Sequence, residues 1–219
     1  MQINKKDFKE IAIIALKLLV ICAIVACLVA TVNFLTKDKI VLNQKIKTAE
    51  ALTDINKADG LYFSVDKKSG KYIVSDSEGN IAGSCEASDT TLKADIDAVY
   101  VVKDTEGKAI CYCVEASPMG FKNEVGLIVA VNPDRTIKDV QIISLSDTKG
   151  IGDKVTKQSY LDLFKGKTSG FSKESKALKA SGMIIAGATR TSEPVSKAVD
   201  TAVSQVGAII DSEEGAKVE

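Results

Sequence analysis

The chain has 219 residues, 29 basic and 29 acidic, with no His and no Trp. Balanced charge excludes a polycation built for nucleic acid, and a hydrophobic content of 45% excludes a disordered tail. Without His, Ser-His-Asp and Cys-His catalysis and the commonest zinc sites are excluded, so redox or transfer chemistry needs an imported cofactor.

Residues 11–32 are apolar apart from Lys17 and Thr31. At a helical rise of ~1.5 Å per residue, such a run matches the roughly 30 Å hydrocarbon core of a bilayer and predicts one transmembrane helix. Lys17 lies near its start, where the stem can snorkel toward the headgroups. Ile24-Val25-Ala26-Cys27 also resembles a lipoprotein cleavage box, but the apolar run continues to Val32 and favours an anchor. Lysines flank the run on both sides, so the positive-inside count leaves orientation open. Residues 36–56 lack Gly and Pro and space Ile40, Val41, Ile46 and Leu52 among polar residues. A helix is predicted there, continuing or bending from the first.

From residue 60 to 114 the pattern changes to short apolar or alternating runs at 61–65, 72–74, 98–102 and 109–114. Gly70, Glu78-Gly79-Asn80 and Glu106-Gly107 are hairpin-type breaks. A second pair, 126–132 and 136–145, is joined by Asn132-Pro133-Asp134-Arg135. Together these runs predict an antiparallel sheet with an apolar side to cover. Cys111 and Cys113 share one strand face and Tyr112 takes the other. They read as a core-facing pair, since two Cys supply half a metal site; in an extracytoplasmic domain Cys85 could pair with one of them. The loop that follows contains Thr148, Gly150, Ile151 and Gly152, and its glycines allow close backbone approach to a planar or phosphorylated ligand.

Residues 181–200 pass from an apolar stretch through a small-residue turn into an amphipathic helix. Val195, Ala198, Val199, Ala202, Val203 and Val206 form its apolar face, and the chain beyond Asp211 is a charged tail. A helix beginning near Ser192 would point its first N–H groups at residues 187–191, a place for a phosphate beside the hydroxyls of Thr189, Thr191 and Ser192. The same residues also read as an ordinary start, with Ser192 as N-cap and Pro194 in the first turn.

The run Ala186, Gly187, Ala188, Thr189, followed by Arg190, Thr191 and Ser192, resembles the flavinylation motif of the FMN-binding domain family. In that family Ser/Thr-Gly-Ala-Thr carries FMN through a phosphoester to the last Thr. Asp147-Thr148-Lys149-Gly150-Ile151-Gly152 resembles its second motif, commonly Glu-Thr-Pro-Gly-Leu-Gly, behind a strand pair introduced here by Gly120-Phe121. The chain departs in having Ala186 where Ser or Thr is usual, and no acidic residue at 179–185 where the family has Asp. The family includes the G subunit of the Rnf complex and the C subunit of the sodium-translocating NADH:quinone oxidoreductase.

The resemblance implies an α+β fold, with a single N-terminal transmembrane helix followed by an FMN-binding domain whose antiparallel sheet is packed by helices. The expected division is an arm at 1–10, the membrane helix at 11–35, a juxtamembrane helix at 36–58, the domain at 59–210 and a charged tail at 211–219. It further implies FMN held covalently through Thr189, in a cleft formed by Ala186, Gly187, Ala188, Thr191 and Ser192 with Thr148, Gly150, Ile151 and Gly152. The implied role is an electron relay in an Rnf-type ferredoxin:NAD+ oxidoreductase coupled to Na+ or H+ translocation. The lipid bilayer and other membrane subunits are the implied partners, with the domain outside the cytoplasm and no nucleic acid. Two alternatives stay open: a stand-alone anchored FMN domain of an extracytoplasmic reductase, and a flavin-free assembly module, for which Ala186 speaks.

Overall fold

The computed structural model describes residues 5–146, 152–169 and 175–215. The chain forms two compact units, residues 1–44 and 45–219. In the first, α1 (Lys5–Asn56) exposes Ile13, Leu16, Leu19, Ile24 and Leu28 on all sides. It is long and apolar enough to cross a membrane, and a helix that is apolar all round is stable in an apolar surrounding. The hydroxyls of Thr31 and Thr36 donate to the carbonyls of Cys27 and Val32, so both are satisfied within the helix. One N-terminal apolar helix of this kind fits a single-pass membrane anchor.

The second unit takes in residues 45–56 of α1 and a seven-stranded antiparallel sheet in sequence order. Its strands are β1 (Tyr62–Val65), β2 (Tyr72–Ser75), β3 (Ile81–Ala87), β4 (Ile96–Lys103), β5 (Ala109–Ala116), β6 (Val125–Val131) and β7 (Ile137–Leu145). A 3₁₀ turn (Gly152–Thr156), α2 (Gln158–Leu161), α3 (Ser175–Ala180) and α4 (Thr189–Gly215) follow. Each predicted run forms a strand. The hairpins are closed by Asp: Asp66, Asp76 and Asp104 each accept a backbone N–H two residues on, while Gly70, Gly79 and Gly107 take positive φ. These N–H donors stabilise the charged carboxylate, so Asp66 and Asp76 are held below the usual carboxylate range, mainly by side-chain bonds from Ser69 and Asn80.

The sheet is covered on both faces. Tyr112, Val114, Leu127, Val129 and Val131 pack under Val195, Val199, Ala202 and Val206 of α4, while Cys111, Cys113, Ile128 and Ala130 pack against Leu52 and Ile55 of α1. Strand alternation thus divides β5 and β6 between two cores, and β6 is buried at every position. The end of α1 is held there by polar contacts as well: Lys138 Nζ donates to Asn56 Oδ1 at 2.6 Å and pairs with Asp59. In the loop before β4, Gln205 of α4, itself buried, donates to the Thr91 carbonyl and accepts from the Lys93 N–H.

Two elements differ from expectation. β3 carries Ala82, Gly83 and Ser84, which have little strand preference, and it is held by its neighbours rather than by its own residues. α4 runs past Asp211 to Gly215, and Glu213 accepts a hydrogen bond from Tyr112 Oη at 2.9 Å. That contact gives the charged end a reason to stay helical.

Cys85, Cys111 and Cys113 are free and buried in the second core, with Cys111 Sγ 3.7 Å from Cys113 Sγ. Burial pushes the Cys85 thiol up to about 12. The bond shared with Cys111, together with burial, holds the Cys113 thiol well above its ordinary value. The same bond lowers the pKa of Cys111, but that thiol is enclosed like the other two, so access rather than ionisation limits their reactivity. In a Cys22→Ala/Cys27→Ala background, a maleimide should therefore label no cysteine of the folded chain and all three after denaturation. Rapid labelling of the folded chain would show that the second core opens.

Candidate functional site

Ala186 and Gly187 form a tight turn in which the Ala188 N–H donates to the Ile185 carbonyl at 3.0 Å. Gly187 sits at φ +78°, the left-handed conformation this turn position requires. The chain enters α4 directly from that turn: the N–H groups of Thr191 and Ser192 both bond the Ala188 carbonyl. Helix α4 therefore starts at Thr189, earlier than the expected start near Ser192. Pro194 falls in its second turn, where it has no N–H to offer the Arg190 carbonyl.

This shift changes what the hydroxyls do. Ser192 is fully buried; its Oγ donates to the Ala188 carbonyl and accepts from the Ile185 N–H, each at 3.0 Å. It is a clamp that closes the turn rather than a cap ahead of the helix. Thr191 is buried as well. Thr189, by contrast, is half-buried at the first helical position, and Ala186 and Gly187 are exposed around it. The amides of Thr189 and Arg190 precede the first intrahelical acceptor and face outward from the helix end.

Tyr160 supports the turn from below. Its Oη lies 3.1 Å from the Met183 carbonyl and 3.2 Å from the Ser192 carbonyl, and Ser196 Oγ donates to the same Met183 carbonyl at 3.0 Å. Burial pushes the Tyr160 phenol up to about 12, so it stays a donor at physiological pH.

Around the turn stand cations that sequence reading did not single out. Lys154 Nζ comes within 3.7 Å of where a Cβ would lie on Gly187. With Lys157, Ser159, Tyr160, Gly182 and Ile185 it lines a cavity of about 230 Å³. Arg190 lies over the Phe121 ring, its Cζ 5.4 Å from the centroid. The loop bearing Phe121 is fastened to the end of β7, where Asn123 Nδ2 donates to the Ser146 carbonyl at 2.7 Å. The signal for Lys154 was available, since it stands two residues after Gly152, but only the fold brings that segment to Gly187.

Of the second motif, Gly152 is buried and begins the 3₁₀ turn that carries Lys154. Thr148, Gly150 and Ile151 lie outside the described residues. Among the described residues no cluster of His, Cys, Asp or Glu is arranged to hold a metal. What is assembled is a half-buried threonine, two amides ahead of the first intrahelical acceptor and nearby Lys and Arg. That donor set is suited to a phosphate-bearing ligand.

Comparison with known proteins bears on the same segment. Residues 120–204 match the FMN-binding domain family. The chain is 36% identical, over 101 residues, to the G subunit of the proton-translocating ferredoxin:NAD(+) oxidoreductase complex of Clostridium ljungdahlii, a match covering 45% of this chain and 55% of that protein. It is 27% identical over 199 residues to the G subunit of the ion-translocating oxidoreductase complex of Vibrio vulnificus, covering 84% of this chain and 85% of that one. The crystal structure of Shewanella oneidensis NqrC aligns at 28% identity with a TM-score of 0.38, over 51% of this chain and 61% of that chain. The match to the Clostridium protein thus spans about half of that protein's length.

Proposed function

Starting from residues 120–204 as an FMN-binding domain, we propose that the chain is the anchored, FMN-carrying electron-transfer subunit of an Rnf-type ferredoxin:NAD+ oxidoreductase coupled to Na+ or H+ translocation. The observation that carries the reading is Thr189. It is the one partly exposed residue among the three hydroxyl-bearing residues of the motif, at the first position of α4, whereas Ser192 is sealed in the turn and Thr191 is buried. Thr189 is the proposed attachment point of FMN, through a phosphoester.

Bound FMN supplies electron transfer that no side chain of this protein provides. The chain's residues hold and orient it. The amides of Thr189 and Arg190 and the amine of Lys154 offset phosphate charge, and Gly187 leaves the approach free of a side chain. Ser192 and Tyr160 keep the turn in one conformation, so that the tether is short and rigid. Thr148, Gly150, Ile151 and Gly152 are proposed as the opposite wall.

α1 anchors the subunit in the bilayer, and the domain is proposed to lie outside the cytoplasm. Other membrane subunits supply the electron donor, the acceptor and the ion path, because one helix cannot form a channel. The isolated chain should turn over little. In-gel flavin fluorescence after full denaturation, on protein made in its native host, tests the attachment. A fluorescent band whose label maps to the peptide bearing Thr189 is expected; a dark band, with no flavin in the native protein, would instead support the flavin-free assembly module for which Ala186 speaks.

A further inference from the structure

Arg190 follows the proposed tether directly, and its side chain is committed to an aromatic face rather than to a carboxylate. Its Cζ lies 5.4 Å from the centroid of Phe121, a ring that is itself 48% exposed. Glu193, the carboxylate one turn further along α4, is taken by Lys197 at 3.0 Å. Among the described residues Arg190 makes no ion pair. A guanidinium stacked on a ring keeps its fixed charge and leaves its N–H fork for a partner from outside the chain.

The platform under Arg190 is braced. The Gly120 N–H donates to the Asn123 carbonyl and the Val125 N–H to the Pro118 carbonyl, each at 2.9 Å, while Asn123 Nδ2 holds the Ser146 carbonyl. Ser146 directly precedes the segment 147–152 proposed as the opposite wall of the flavin cleft. The guanidinium therefore reaches from the helix that bears Thr189 to a loop fastened beside that second segment. A contact that only pinned the start of α4 would need no charge. Ser192 already closes the turn, and Tyr160 already supports it.

We propose that the Arg190 side chain, held on Phe121, raises the reduction potential of the bound flavin. Reduction adds negative charge to the flavin ring, and a nearby fixed cation favours that form. The proposal rests on Thr189 as the tether, which places the cofactor beside Arg190.

The test compares full chains of wild type, Arg190→Gln and Arg190→Lys, made in the native host and purified in detergent. The two-electron midpoint of the flavin is read by spectroelectrochemical titration at low and high salt, and it is a value per bound flavin, independent of partial loading. In Arg190→Gln the ratio of reduced to oxidised flavin at a fixed electrode potential should fall about tenfold, or about 30 mV, with the melting temperature unchanged. Arg190→Lys keeps the charge and should stay close to wild type. The difference between wild type and Arg190→Gln should narrow at high salt, because Arg190 is exposed. An unmoved midpoint in Arg190→Gln, or an equal fall in Arg190→Lys, would overturn the proposal while leaving the tether intact. An Arg190→Gln chain without flavin beside a loaded wild type would make Arg190 a loading determinant and overturn it as well. A wild-type chain without flavin would overturn the Thr189 reading itself, and this proposal with it.

Discussion

A Thr189→Val chain made in the native host should run as a dark band on a denaturing gel, beside a fluorescent wild type, while its melting temperature stays close to that of the wild type. Valine matches threonine in shape, and the position is half-buried at the start of α4, so the exchange removes one hydroxyl with little repacking. The turn does not rely on that hydroxyl. It is closed by Ser192 Oγ, which bonds the Ile185 N–H and the Ala188 carbonyl, and is supported by Tyr160 Oη. Loss of fluorescence with the fold intact would isolate the hydroxyl as the attachment atom. A fluorescent variant band would move the attachment elsewhere and remove the main support for Thr189.

Much of this fold was legible because its signals are local. The all-apolar run of α1, the strands between Asp and Gly hairpins, and the apolar stripe from Val195 to Val206 each follow from side-chain period and turn chemistry. What was not legible depends on partners far away in the chain. β3 exists because β2 and β4 lie on either side of Gly83. Residues 45–56 read as a juxtamembrane helix, yet Leu52 and Ile55 pack on Cys111, Ile128 and Ala130. The helix start shows the same limit at the site. Ser192 followed by Glu193 and Pro194 reads as a cap, and only the bond from the Ile185 amide, seven residues back, reveals it as a clamp. Lys154 likewise becomes a candidate only when the 3₁₀ turn brings it to Gly187.

Phe164→Ala should lower stability more than Thr189→Val. Phe164 is fully buried in the turn after α2, and its ring meets Tyr160 edge-on with centroids 5.4 Å apart. Truncating such a residue costs about 3–5 kcal/mol, through lost apolar transfer and the cavity left behind. For a domain of this size that corresponds to a fall in melting temperature on the order of 10 °C. The effect should reach the Thr189 turn, because Phe164 packs the ring whose hydroxyl holds the Met183 and Ser192 carbonyls. Flavin loading should therefore fall in Phe164→Ala together with the melting temperature, whereas Thr189→Val loses flavin alone. Thermal unfolding followed by tyrosine absorbance, with in-gel fluorescence on the same samples, separates the two variants. An unchanged midpoint in Phe164→Ala would mean that the first core closes over the void, and the Tyr160 prop would then be free of the packing beneath it.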